Sequence, residues 1–131
     1  MSATAKYVLD ASALIALVRE ETGSAKVLGV LEDAVIGAVN LAETLHKLVQ
    51  KGGSLNQTVA ILRSFELPVV PWSDELAYSS AEFAALGWTH GLSLGDRACL
   101  TLAKHLGATA VTADRAWRKI ARTTVPLLIF R

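Results

Sequence analysis

The chain predicts an α/β fold with a central, mainly parallel sheet flanked by helices. Two observations carry that prediction. Short apolar runs alternate with longer stretches of helical periodicity, the pattern of strand–helix–strand units. Acidic residues also stand where apolar strands give way to helices or in the first turn of a helix, at Asp10, Glu43, Asp96 and Asp114. In an open parallel sheet those junctions line one crevice, and ligands bind there.

The elements follow in order. Lys6 to Leu9 reads as a first strand, followed by a helix from about Ser12 through Val18 and a second helix over Ser24 to Leu31. Ala34 to Gly37 reads as strand, and the next helix is expected to start at Asn40 and stop near Gly52 and Gly53. Leu55 to Phe65 is helical, Leu67 to Val70 is a strand, and Pro71 marks its end. Ser73 caps a helix expected to run to Leu86, with Asp74 and Glu75 in its first turn. Gly87 to Ser93 reads as a loop, and Leu94 to Leu106 as a helix closed by Gly107. Ala110 to Thr112 is a strand, Arg115 to Ala121 a short helix, and Pro126 to Phe130 a last strand. With no repeat or linker in its 131 residues, the chain is expected to form one domain over 1–131.

Composition narrows the class. The hydrophobic content is 52% and the mean hydropathy +0.39, enough for a substantial core. Basic and acidic residues nearly balance, 13 against 12, so no global positive field announces nucleic acid. Cys99 is the single cysteine, which excludes an internal disulfide, and it reads as a small buried hydrophobe. Residues Met1 to Lys6 lack the apolar core of a signal peptide and no run is long enough to span a membrane, so a cytoplasmic protein is expected.

The four acids invite chemistry. Carboxylates gathered in one crevice repel one another near neutral pH unless a cation lies among them. An oxygen-only donor set suits Mg²⁺ or Mn²⁺. A structural account also exists for each acid. Asn40 with Glu43, and Ser93 with Asp96, have capping-box spacing, while Asp10 and Asp114 would serve as N-caps. Glu43 shares a helix side with Asn40, Lys47 and Gln50, which reads as a solvated face. His46, His90 and His105 read as surface or structural residues. Trp88 and Trp117 read as buried aromatics, with stacking on unpaired bases as the alternative.

Four blocks carry a resemblance over nearly the whole chain: Val8-Leu9-Asp10-Ala11-Ser12-Ala13-Leu14, Asn40-Leu41-Ala42-Glu43, Leu92-Ser93-Leu94-Gly95-Asp96 and Val111-Thr112-Ala113-Asp114. In that order they resemble a PIN-domain ribonuclease, and more narrowly a VapC-type toxin of VapBC toxin–antitoxin pairs. The resemblance implies a PIN-like three-layer sandwich and a metal-dependent endoribonuclease. It implies Asp10, Glu43, Asp96 and Asp114 as a pocket for Mg²⁺, with Mn²⁺ as substitute, and Ser12 and Thr112 as its supports. Asn40 stands where relatives often carry a small hydroxyl residue, a variation expected to touch a helix cap only. Arg97, Arg115 and Arg118 follow two of the acids and are candidate contacts for RNA phosphates. The resemblance further implies a cognate VapB-type antitoxin, a homodimer, and DNA contact only through the antitoxin. The apolar stretches Ala13 to Val18 and Val27 to Leu31 are candidate surfaces for the antitoxin, with core packing as the alternative.

Two rivals stand against this reading. A haloacid-dehalogenase-like phosphatase would place a second Asp two residues after the first, and that position is Ser12; a P-loop is absent as well. The other rival is a PIN-like module that binds RNA or protein without cutting.

Overall fold

A computed structural model describes residues 5–120 and 125–131. Five strands form one all-parallel sheet: β1 (Tyr7–Leu9), β2 (Ala34–Gly37), β3 (Val69–Val70), β4 (Thr109–Thr112) and β5 (Leu127–Ile129). Their order across the sheet is β3-β2-β1-β4-β5. The chain therefore builds outward from β1 to one edge, crosses back, and builds outward to the other. The reversal falls between β1 and β4, where Leu9 pairs with Val111.

The helices are α1 (Ala11–Arg19), α2 (Ser24–Val30), α3 (Ala38–Gln50), α4 (Leu55–Ser64), α5 (Asp74–Ser79), α6 (Ala84–His90), α7 (Leu94–Leu106) and α8 (Trp117–Ile120). Alternate strand residues face opposite sides of the sheet, as a two-residue period requires. Val8, Val35 and Ala110 pack with Leu76, Phe83, Cys99, Leu100 and Leu102 on one face. Leu9, Ile36 and Val111 pack with Leu14, Ile15, Val27, Leu48 and Leu62 on the other. This is the helix–sheet–helix sandwich expected from the sequence, and Cys99 lies inside it as a buried thiol. The apolar stretch of α1 is spent mainly on this core, since Ala13, Leu14, Ile15 and Ala16 are buried; in α2, Val27 is buried and Leu28 exposed.

Three expectations about elements need correction. The stretch Ser73 to Leu86 is not one helix: α5 ends at Ser79, a 3-10 turn covers Ser80–Phe83, and α6 follows. The tighter turn brings Phe83 into the core, where it is buried. The expected loop from Gly87 is largely helical, because α6 runs on to His90 and ends at Gly91 with φ +72. Gly87 sits against the Arg97 side chain, where a Cβ would stand 3.3 Å from Nε. Its small size serves packing between α6 and α7 rather than a chain break. Finally, α3 begins at Ala38 directly after β2, with Gly37 as its N-cap. Asn40 therefore lies within the first turn and is no cap.

The short helix expected over Arg115 to Ala121 is observed as α8; Ala121 lies outside the described residues, as do residues 1–4 of the N-terminal stretch judged for a signal peptide. Among the described residues, no helix is long and apolar enough to cross a membrane.

Gly23 fixes how the α1–α2 turn meets the sheet edge. It has φ +87, and a Cβ there would lie 2.3 Å from the Phe130 carbonyl oxygen. Gly23→Ala is expected to cost more than about 1 kcal/mol, through both the left-handed backbone and the clash. A urea titration will show this as a lower midpoint; an unchanged midpoint would mean the turn relaxes freely.

Candidate active site

The reversal between β1 and β4 opens a crevice at the carboxyl ends of the strands, where α/β proteins bind ligands. Asp10 is the first residue beyond β1, and its backbone N–H donates to the Val111 carbonyl at 2.9 Å. Its side chain is buried, with 6% exposure. Two hydroxyls hold it: Ser12 Oγ and Thr112 Oγ1 each donate to Asp10 Oδ2 at 2.9 Å. The backbone of the β4–α8 connection is tied to the same hydroxyls. Ala113 N–H donates to Ser12 Oγ and Asp114 N–H to Thr112 Oγ1, both at 3.1 Å. Asp10, α1 and the turn carrying Asp114 are thus one hydrogen-bonded unit.

The other acids arrive from separate elements. Asp96 sits in the first turn of α7 within a complete capping box: its N–H donates to Ser93 Oγ at 3.1 Å, and Ser93 N–H donates to Asp96 Oδ2 at 2.9 Å. Asp114 turns its carboxylate onto the following backbone, accepting from Ala116 N–H at 3.0 Å. Glu43 comes from α3 and pairs with Lys47, whose Nζ lies 3.0 Å from Oε2. Its other oxygen crowds α7, since a Cβ on Gly95 would stand 2.5 Å from Glu43 Oε1.

All four acids line one cavity of about 270 Å³, together with Ala11, Ser12, Lys47 and Ala113. The capping role of Asp96 coexists with this placement, whereas the Asp114 side chain bonds the turn ahead of α8 and the Asp10 side chain, at the N-cap position of α1, makes no cap bond. As they stand, however, no three His, Cys, Asp or Glu side chains among the described residues converge at the spacing of ligands to one ion. The donor chemistry nonetheless fits a hard cation, because the cavity offers carboxylate oxygens and no imidazole or thiolate.

The electrostatics agree with crowded negative charge. Burial pushes Asp10 up to about 6, opposed by its two hydroxyl bonds and aided by the nearby charges of Asp96 and Glu43. Asp96 is also raised, by burial first, against its bonds from Ser93 and with help from Asp114 and Glu43. The bond from Glu43 raises Lys47 and holds its proton more firmly.

Two residues enter the site that the sequence did not single out for it. Lys47, read as part of a solvated face, lines the cavity. Asn40, read as a cap, is 1% exposed and donates from Nδ2 to the Gly95 carbonyl at 3.0 Å. That bond fastens α3 to α7 beside the acids. Its one advance signal is a polar residue at a position where the helix must enter the core. Asn40 Oδ1 is buried without a partner among the described residues.

None of the three arginines lines the cavity. Arg97 lies over Gly87, with Nε donating to the Ser93 carbonyl at 3.4 Å, Arg115 Nε donates to the Arg131 carbonyl at 3.0 Å, and Arg118 is exposed on α8. Of the two tryptophans read as buried, Trp117 is in the core, whereas Trp88 is 77% exposed. Trp88 projects from α6 beside Gly87, where no core is left to receive it. His46, His90 and His105 are exposed, as expected.

A parallel sheet with an acid-lined cavity at its point of reversal places the chain among open α/β domains whose ligand crevice lies at the carboxyl ends of the strands. Residues 7–123 match the PIN domain, and the chain belongs to that family. No curated protein sequence matches the chain. Solved structures share the fold. VapBC2 from Rickettsia felis, bound to a DNA fragment from its promoter, is 19% identical with a TM-score of 0.74, covering 93% of this chain and 96% of that one. FitAcB from Neisseria gonorrhoeae is 21% identical with a TM-score of 0.70, over 93% and 96%. VapBC-5 from Mycobacterium tuberculosis, of the VapBC family of toxin–antitoxin systems, is 21% identical with a TM-score of 0.64, over 96% and 98%.

The Asp10 shift sets a pH dependence. In the unfolded chain the group titrates near 3.8, in the folded one near 6. Below pH 3.8 both states are protonated and nothing is lost; between the two values stability falls, and above pH 6 the full cost applies. Asp10→Asn removes that cost. Without metal, the variant is expected to be more stable than wild type at pH 8, by on the order of 2–3 kcal/mol. Urea unfolding in EDTA at pH 8 and pH 4 tests this; an advantage that does not shrink at pH 4 contradicts it.

Proposed function

We propose that this protein is a metal-dependent endoribonuclease, the VapC-type toxin of a toxin–antitoxin pair acting on cytoplasmic RNA as one PIN domain. The observation that carries the proposal is the buried Asp10, held by two hydroxyls at the point of reversal, with Glu43, Asp96 and Asp114 lining the same cavity. Asp10, Asp96, Glu43 and Asp114 would hold Mg²⁺, or Mn²⁺ in its place. When bound, such an ion lowers the pKa of water and offsets charge that develops on a phosphate during hydrolysis.

The chain's own residues prepare the site. Ser12 and Thr112 fix one edge of the Asp10 carboxylate, so its direction is set before any ligand arrives. The capping box fixes Asp96, and the Asn40–Gly95 bond holds Glu43 and Asp96 on helices that keep a constant spacing. These bonds hold the carboxylates around one cavity, and an incoming ion would draw them the remaining distance to ligand spacing. Arg97, Arg115 and Arg118 lie outside the cavity and suit phosphates flanking the cut, and the exposed Trp88 ring suits an unpaired base. A cognate VapB-type antitoxin and a homodimer are the proposed assembly, with DNA contact made by the antitoxin. The support is the shared fold with DNA-bound VapBC2.

Purified protein should cut total RNA into discrete fragments with Mg²⁺ or Mn²⁺ and not with EDTA. Asp10→Asn and Asp96→Asn should reduce cleavage to background while staying folded, because a carboxamide keeps the shape and loses the charge. Cleavage at the wild-type rate by both variants would sink the four-acid mechanism. Metal binding with no cleavage of any RNA would favour a binding module instead. Gly95→Ala should lower cleavage by displacing Glu43, while stability holds or rises by up to about 1 kcal/mol through helix propensity.

A further inference from the structure

Among the described residues lining the acid cavity, Lys47 alone carries a positive charge. It stands four residues after Glu43 on α3, the orientation that favours a Glu–Lys pair on a helix. On an open helix face such a pair is a minor, solvent-screened contact. Here it reaches into a cavity shared with Asp10, Asp96 and Asp114.

We propose that Lys47 is a built-in counter-ion of this cavity, holding Glu43 until a divalent cation displaces it. The inference rests on the metal-site reading above. The Glu43 carboxylate is gripped from two sides. Oε2 meets the Lys47 ammonium at 3.0 Å, and Oε1 lies against Gly95, where even a methyl group has no room. With α7 close on the Oε1 side, the ammonium of Lys47 holds the carboxylate at the cavity wall. The Lys47 side chain is 47% exposed on a flexible stem, so it can leave for solvent without breaking a buried contact. A divalent ion entering the cavity therefore meets a cation already drawn to the same carboxylates. Binding becomes an exchange of one cation for another, and Lys47 weakens the affinity of the site for metal.

The test is direct Mn²⁺ binding to metal-free protein without RNA, read from the electron paramagnetic resonance of free Mn²⁺. Lys47→Gln should bind roughly tenfold tighter than wild type, since a unit charge near the ion is removed. Lys47→Arg keeps the charge and should bind close to wild type. The gap between Lys47→Gln and wild type should narrow as salt rises. Equal or weaker binding by Lys47→Gln overturns the proposal, as does a tightening that Lys47→Arg shares. If none of the three proteins binds Mn²⁺, the metal-site reading itself fails and takes this inference with it.

Discussion

The hydrogen bonds to Asp10 are the constraint on which the rest of the structure depends. A carboxylate at 6% exposure is costly to keep, and two hydroxyls from opposite sides of the sheet reversal hold it there. Those same hydroxyls receive the backbone N–H groups of Ala113 and Asp114. One small network thus fixes the end of β1, the start of α1 and the exit from β4. Replacing either hydroxyl with an apolar group would leave a buried acceptor and a loose turn together.

Around that fixed point the remaining acids are placed by different local devices. Asp96 is set by the helix cap it helps to make, Asp114 by a bond to its own following backbone, and Glu43 by a lysine on one side and a glycine on the other. Each device also stabilises the metal-free chain. The cost of keeping the site falls mainly on Asp10 and Asp96, whose upward shifts come first from burial and only then from the neighbouring acids.

What was legible in the sequence was whatever depends on near neighbours. The strands, the Ser93–Asp96 capping box and the Gly107 helix end are local patterns, and the structure has them. Asp10 and Asp114 were legible because each follows a strand, and Asp96 because it completes a capping box; Glu43, expected in a first turn, lies one turn further along because α3 already begins at Ala38. The rest depends on partners far along the chain. Asn40 looked like a cap because its bond to Gly95 spans 55 residues. Lys47 looked solvated because helical periodicity cannot tell water from a cavity bounded by another helix. Gly87 looked like a break because its true partner, Arg97, belongs to the next helix. Trp88 looked buried on composition alone, and only the position of α6 leaves it outside.

The separation between Asp10 and Thr112 has a consequence for biosynthesis. The two residues are 102 positions apart, and β4 lies beyond seven of the helices. Pairing across such a distance closes a long loop, which comes late in folding and slows it. A nascent chain still on the ribosome, with β4 yet to emerge, lacks the strand that completes the Asp10 pocket. Assembly of the acid-lined crevice therefore waits for β4, and on the reading proposed above any activity would be withheld until that strand has emerged.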